Sequence, residues 1–174
     1  IRDIGVTGVQ TCALPISTNQ ARATEIGICL IDRNLEIVEE FETLIRPPVV
    51  PLRASLATAR LSNSDLADAP SFKDVWPSVY PYLDGNAIVA HNKSYEITVL
   101  QNEFSDLRIK CEWTLSCTRE LSRRLLSHRI SSESLDYLCS YFDIQRVAPH
   151  EAINDARDTV QLIRELSKIG RAHV

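Results

Sequence analysis

The order of strand-like and helix-like segments constrains the fold of this chain more than any other feature. Residues 23–31 (ATEIGICLI) form a short apolar run, and residues 35–46 alternate between apolar and polar side chains, which is typical of strands. The turn residues at 32–34 between them predict an antiparallel hairpin. Residues 87–90 (AIVA) form a continuous apolar run that predicts a buried central strand.

Helical patterns dominate the second half of the chain. We predict helices over five segments, which are residues 71–83, 94–104, 119–126, 134–142 and 151–167. Pro77 and Pro81 argue against the first helix continuing beyond its first turn, because proline removes a backbone donor and clashes with the preceding turn. An edge strand is expected over 113–117. The whole order predicts an α/β fold in which helices flank a mixed β-sheet.

The composition is ordinary for a globular protein and excludes some classes of function. The chain has 174 residues, of which 44% are hydrophobic, and its formal net charge is -4. That charge argues against a protein that coats nucleic acid through bulk electrostatics. The sequence lacks the long apolar run that a membrane span needs. The five cysteines show no zinc-site spacing, so we expect reduced thiols and a cytoplasmic location.

One cluster of polar residues directly follows the predicted central strand. It includes His91, Asn92 and Glu96, and ligand groups in α/β sheets gather at the carboxyl ends of strands. Glu96 falls in the first turn of the next predicted helix. Taken alone, it is more simply explained as an acid that complements the helix dipole.

A second cluster lies at the start of the last predicted helix. His150 precedes this helix, and Asp155 lies about one turn into it. Ala152 and Ala156 are one helical turn apart and form a small face that permits close packing. A carboxylate beside a packed face needs a partner, and a metal ion is one such partner. Taken alone, a solvent-facing Asp and a structural His are the simpler explanations.

Together, the two clusters resemble motifs of the DEDDh-class 3′→5′ exonucleases, the family of the epsilon-type proofreading subunits of bacterial replicases. The third family motif, H-x-A-x-x-D-A, is matched at four positions, His150, Ala152, Asp155 and Ala156. The second motif, A-H-N-x-x-F-D, is matched at Ala90, His91 and Asn92, with Tyr95 in place of Phe and Glu96 in place of Asp. Weaker similarities extend the resemblance over nearly all of residues 23–167.

The resemblance implies a ribonuclease H-like fold and hydrolysis of phosphodiester bonds from a nucleic-acid 3′ end. In this family four carboxylates hold two Mg²⁺ or Mn²⁺ ions, which prefer oxygen ligands. It implies that Asp155 and Glu96 bind metal and that His150 acts as the general base. His91 and Asn92 would shape the loop or bind substrate. The expected partners are single-stranded DNA or RNA 3′ ends and a DNA polymerase.

The chain departs from the family most strongly before residue 17. The first motif, D-x-E-T-T-G, carries two of the four carboxylates and is expected shortly before Glu25. Residues 3–8 resemble it superficially but lack the Glu, and residues 6–16 (VTGVQTCALPI) match a translation of a sequencing-library adaptor. Residues 169–174 (IGRAHV) match a translation of the reverse complement of part of that adaptor.

We therefore expect residues 1–16 and 169–174 to be adaptor-derived and to lie outside the native sequence. Residues 17–168 would form a single exonuclease-like domain that is truncated at its N-terminus. Its first strand would be lost or replaced by adaptor-derived residues. The chain itself is then expected to be inactive, because the D-x-E motif is missing and metal binding is doubtful.

Glu96 keeps a second hypothesis open. One extra methylene relative to Asp moves the carboxylate by roughly 1 Å, and misplacement of that size costs about 100-fold in rate. The alternative is a catalytically degenerate family member that serves as a nucleic-acid-binding or protein-interaction module. The intact His150 and Asp155 favour the enzyme, and the first motif of the full gene would discriminate between the two.

A basic stretch lies in the predicted helix between the two clusters and just after it. It contains Arg119, Arg123, Arg124, His128 and Arg129. These side chains could meet the phosphates of a nucleic acid, but the sequence favours a solvated helix face.

Overall fold

The computed structural model describes residues 6–14, 21–49, 56, 60–107 and 115–172, without the side chains of residues 9–14, 171 and 172. The strands in this part of the chain are β1 (Val6–Leu14), β2 (Arg22–Ile31), β3 (Ile37–Leu44), β4 (Ala87–Ala90) and β5 (Leu115–Cys117). The helices are α1 (Asn63–Ala67), α2 (Phe72–Leu83), α3 (Lys93–Leu107), α4 (Thr118–Leu126), α5 (Leu135–Tyr141) and α6 (Ala152–Ala172). The first two residues of the predicted edge strand, 113 and 114, lie outside the described residues.

The strands form one mixed sheet in the order β3-β2-β1-β4-β5. β2 pairs with β3 in antiparallel fashion, which confirms the predicted hairpin. β1 pairs antiparallel with β2 and parallel with β4, and β5 lies at the edge beside β4. The predicted α/β architecture is therefore confirmed. None of the helices in the described part of the chain is long and apolar enough to cross a membrane.

The central strand β1 consists of residues for which the sequence suggests an adaptor origin. Its register with β4 runs from the pair Val6 and Ala87 to the pair Gly8 and Val89. The Thr7 hydroxyl donates a hydrogen bond of 2.7 Å to the carbonyl of Tyr82. These residues therefore fill the position between β2 and β4 that a first strand would take.

The helix predicted over 71–83 is confirmed as α2, and the objection that its prolines would end it after one turn was wrong. Both Pro77 and Pro81 lie inside α2 and are exposed. Each proline leaves a carbonyl one turn earlier without its helical donor, and on the outer face water can replace that donor. A capping box between Ser71 and Asp74 fixes the start of the helix.

Helices cover both faces of the sheet and bury an apolar core on each. On one face, α2 and α3 pack against side chains that include Ile26, Ile28 and Ile88. On the other face, α6 packs against Cys29 and Ile31 through residues that include Ala156 and Val160. Burial of each large aliphatic side chain contributes roughly 1.5–3 kcal/mol. The alternation along β2 thus sends successive residues to opposite cores.

Candidate functional site

The height of α6 above the sheet is set by Gly27 in β2. An added Cβ at Gly27 would lie 2.3 Å from the carbonyl carbon of Ala152 and 2.3 Å from the nitrogen of Ile153. A side chain at this position would push the helix outward, so the close approach requires glycine. Ala152 and Ala156 are fully buried, and the small face predicted from them is the face that meets the sheet.

His150 and Asp155 lie together at the start of α6. His150 is exposed and occupies the turn before the helix with a φ of 74°, in the left-handed region that non-glycine residues seldom adopt. Its backbone N–H donates to Oδ1 of Asp155 at 3.3 Å. Asp155 N in turn donates to the carbonyl of Glu151 at 3.0 Å. The side chain of Asp155 therefore helps to hold the turn that presents His150.

The carboxylate of Asp155 also pairs with Arg146. Arg146 Nε lies 2.7 Å from Oδ2 of Asp158, and its other two nitrogens contact Asp155 and Asp136. The Arg146 side chain is 10% exposed, and that of Asp158 is 4% exposed. Burial raises the pKa of Asp155, while the Arg146 guanidinium lowers it. One arginine thus neutralises acidic groups from α5 and α6.

Sequence reasoning did not identify Arg146 as part of the site. A signal for it was present, because Asp155 and Asp158 are three residues apart and share one face of α6. Two carboxylates on a partly buried helix face require a nearby cation.

Glu96 is buried in the first turn of α3, where the residue is 3% exposed. This helix contacts β1, as does α6. The structure therefore brings the elements that carry Glu96 and Asp155 to the same central strand. The first-turn position predicted for Glu96 is confirmed, and its burial adds a need for a charged or polar partner.

His91 is a buried connection between β4, α4 and the loop before α5. Its Nδ1 lies 2.9 Å from the hydroxyl of Thr118, and the ring also makes a hydrogen bond with the backbone of Glu133. Burial lowers the pKa of His91 to about 4, so the ring is neutral at neutral pH. These contacts fit the loop-shaping role considered for His91, and contact with substrate stays a prediction.

Asn92 terminates the segment after β4 in a left-handed conformation with a φ of 65°. Its carbonyl accepts a 2.9 Å hydrogen bond from the N–H of Tyr95, and its side-chain Oδ1 accepts one of 3.4 Å from Arg119. The side chain is therefore linked to the basic surface of α4. Its predicted contact with substrate also stays a prediction.

The described residues do not fit a complete metal site. Among residues 6–14, 21–49, 56, 60–107 and 115–172, there is no group of three or more His, Cys, Asp or Glu side chains arranged to hold a metal ion. Glu96 and Asp155 are the two carboxylates that match family motifs, and Asp155 is paired with Arg146. Residues 3–5, which begin the segment 3–8 that superficially resembles the first motif, lie outside the described residues.

Known proteins resemble this chain over most of its length. It is 29% identical over 150 residues to the PolC-type DNA polymerase III of Caldanaerobacter subterraneus subsp. tengcongensis. This match covers 84% of this chain but only 11% of that protein. It is 27% identical over 164 residues to DNA polymerase III subunit epsilon of Buchnera aphidicola subsp. Schizaphis graminum, covering 90% of this chain and 68% of the relative.

The fold also matches that of a solved nuclease. The nuclease domain of 3′hExo, a DEDDh family member bound to rAMP, superposes with a TM-score of 0.80 over 97% of this chain and 94% of that domain. The sequences are 13% identical, so this match shows a shared fold. The family model described as RNase_T exonuclease matches residues 2–163. The chain therefore belongs to the RNase_T exonuclease family.

Proposed function

We propose that this chain represents a 3′→5′ exonuclease that hydrolyses phosphodiester bonds at DNA or RNA ends by a two-metal mechanism. The observation that carries the proposal is the pairing of His150 with Asp155 at the start of α6, in the H-x-A-x-x-D-A arrangement. This arrangement occurs in a chain of the exonuclease family. Mg²⁺ or Mn²⁺ would supply an activated water and stabilise the leaving oxygen.

His150 is the residue that we assign as general base. Its side chain is exposed at the end of a turn, so the ring can reach a water molecule beside a bound nucleic-acid end. The hydrogen bond from its own backbone to Asp155 limits the motion of the turn. A general base whose backbone is already fixed by a hydrogen bond loses less conformational entropy when the substrate binds.

We assign Asp155 and Glu96 to metal binding. Two carboxylates do not complete the set of four that the family uses, and β1 has no Asp or Glu between Val6 and Leu14. We therefore propose that the chain as it stands has no useful exonuclease activity.

The same proposal covers the two ends of the chain. We assign residues 1–16 and 169–174 to adaptor translation and residues 17–168 to a truncated native domain. The family match begins at residue 2 and covers the rest of the first of these segments. The sequence of the gene in its source, without adaptor, tests the proposed origin of β1.

A degenerate binding module is the second candidate function. It is favoured by Glu96, which stands where the family has Asp, and by the contact of Arg146 with Asp155. In such a protein the arginine would provide permanently the positive charge that a metal ion provides in an active enzyme. Such a protein would keep the fold and could still bind nucleic acid, but it would not hydrolyse it.

A digestion assay distinguishes these candidates. A 3′-end-labelled single strand would be incubated with Mg²⁺ or Mn²⁺ and one of four proteins: this chain, a version whose N-terminus is restored from the gene, and the His150→Ala variant of each. Stepwise shortening by the restored protein alone supports the proposal. Shortening by this chain that disappears in its own His150→Ala variant overturns the proposed inactivity. A folded restored protein that shortens nothing supports the degenerate module.

We also propose a DNA polymerase as a partner and a cytoplasmic location. The support is similarity to an epsilon subunit and to PolC-type polymerases. Co-elution of the restored protein with the replicative polymerase of its source on size-exclusion chromatography tests the partnership, and separate elution at micromolar concentrations contradicts it.

A further inference from the structure

Two arginines on the outer face of α4 share a single carboxylate. Arg119 and Arg123 are four residues apart, so they lie on the same side of the helix. The Nε and Nη2 atoms of Arg123 each lie 2.6 Å from an oxygen of Glu133, and Nε of Arg119 lies 3.2 Å from Glu133 Oε2. The same arrangement of guanidinium groups around a small anion suits a phosphate.

This pair of arginines adjoins the segment that carries the second family motif. Arg119 Nη1 donates a hydrogen bond to Asn92 Oδ1 at 3.4 Å. The ring of His91 makes a hydrogen bond with the backbone of Glu133. The positive charge therefore begins beside the predicted substrate-binding residues and continues along α4 to Arg123.

Glu133 is a partner that another anion can replace. The side chains of Arg119 and Arg123 are 44% and 61% exposed, and that of Glu133 is 22% exposed. Ion pairs with this degree of exposure contribute little to stability. The two guanidinium groups hold the pKa of Glu133 at about 2, so its carboxylate remains charged near neutral pH. Protonation therefore does not release the arginines near neutral pH, and another anion must take the place of the Glu133 carboxylate.

We propose that Arg119 and Arg123 form a binding subsite for a backbone phosphate of the nucleic-acid strand, which Glu133 occupies as an internal anion until the strand binds. This inference rests on the proposed function, because that function supplies the nucleic acid. It develops the phosphate contact that the sequence left open beside a solvated helix face, since Arg119 contacts Asn92. A phosphodiester is common to DNA and RNA, so the subsite accepts either.

The test measures binding without metal. Fluorescence anisotropy would follow 5′-labelled oligo-dT and oligo-U with the full chain in EDTA, over a range of salt concentrations. Three variants are compared with the unchanged protein: Glu133→Gln, Arg123→Gln and the control Glu36→Gln. Glu36 forms an exposed ion pair of 2.8 Å with Arg164 in the turn between β2 and β3, so the control removes the same charge far along the chain from the subsite.

We expect Glu133→Gln to tighten binding by up to about fivefold, because it frees the two arginines. Arg123→Gln should weaken binding and reduce the slope of log K against log salt by about 1. Glu36→Gln should change neither quantity, and oligo-dT and oligo-U should respond alike. Circular dichroism verifies that each variant is folded.

Equal changes in affinity for Glu133→Gln and Glu36→Gln would show that only the net charge of the protein matters and would overturn the inference. An unchanged affinity in Arg123→Gln, or no measurable binding by any variant, also overturns it. The digestion assay is independent of this outcome. If the variants bind as expected but the restored protein digests nothing, the subsite is supported and the exonuclease proposal is rejected. If the restored protein digests the strand but Glu133→Gln does not change binding, the exonuclease proposal is supported and the subsite is rejected.

Discussion

Gly27 and Ala152 approach so closely that a Cβ on Gly27 would lie 2.3 Å from the Ala152 carbonyl carbon. This contact joins the middle of β2 to the first residue of α6. His150 and Asp155 lie within one helical turn of it, so the position of both predicted functional residues depends on the absence of a side chain at one sheet position.

Gly27→Ala should therefore destabilise the protein by about 1–3 kcal/mol or more, because the backbone of α6 must move to admit the methyl group. Urea denaturation measures the change. Gly8→Ala is a matched control on the same face of the sheet, where the nearest atom to an added Cβ is Val160 Cγ2 at 3.4 Å. Equal losses in the two variants would contradict the steric explanation.

Arg146→Met should destabilise the protein by about 3–5 kcal/mol, because it leaves the carboxylate of Asp158 buried without its cation. Asp136→Asn removes only the partner whose side chain is 65% exposed and should cost less than about 1 kcal/mol. Chemical denaturation of both variants gives the comparison. A small loss in Arg146→Met would mean that water solvates Asp158 in place of the arginine.

The stability of the protein should fall in mild acid because of His91. Its pKa is about 4 in the folded protein, against an ordinary value of 6.5, so the unfolded chain binds more protons between these two pH values. Stability contributed by the neutral ring is complete above about pH 6.5 and is lost as the pH falls toward 4.

At pH 5 the expected loss from His91 is about 2 kcal/mol relative to neutral pH. Urea denaturation at pH 7 and pH 5 measures it. His91→Gln should flatten this part of the pH dependence, whereas His128→Gln, at an exposed position, should retain it. A His91→Gln variant with the same pH dependence as the unchanged chain would rule out this origin.

Two acidic substitutions in β1 should improve metal binding. Gly8 pairs with Cys29 and Gln10 pairs with Gly27, and alternation places positions 8 and 10 on one face of the strand. An added Cβ at Gly8 would lie 3.9 Å from the carbonyl of Ala156, the residue after Asp155. Gly8→Asp with Gln10→Glu would therefore bring two carboxylates toward Asp155.

We expect this double variant to bind Mn²⁺ at least about tenfold more tightly than the unchanged chain, because affinity rises with the number of charged ligands. Electron paramagnetic resonance of free Mn²⁺ measures the binding. Addition of Asp155→Asn should remove the gain. Retention of the gain in that triple variant would place the new metal site away from Asp155.

The hairpin, the buried strand over 87–90 and the later helices could be predicted, because short apolar runs indicate strands and apolar residues at helical spacing indicate helices. The same reasoning failed at Pro77 and Pro81, since it counts the lost hydrogen bonds but not the face on which they are lost. Both prolines are exposed, and that fact depends on how α2 packs.

The candidate site could be predicted only in part, for a similar reason. His150 and Asp155 are close in sequence, so both their shared motif and the contact between them can be predicted from local spacing. Arg146 connects two helices through tertiary contacts, and the partner of His91 lies at Thr118 in another element. Such contacts follow from the arrangement of the sheet and helices and not from local spacing.

The close packing around Gly27 has a consequence for folding during synthesis. All strands of the described sheet precede α6 in the chain, so the face that contains Gly27, Cys29 and Ile31 stays uncovered until the ribosome has made that helix. Cooperative closure of this face must await the last element, and contacts between distant segments slow such a step. Nascent chains paused before residue 152 would expose this apolar face and require protection by chaperones.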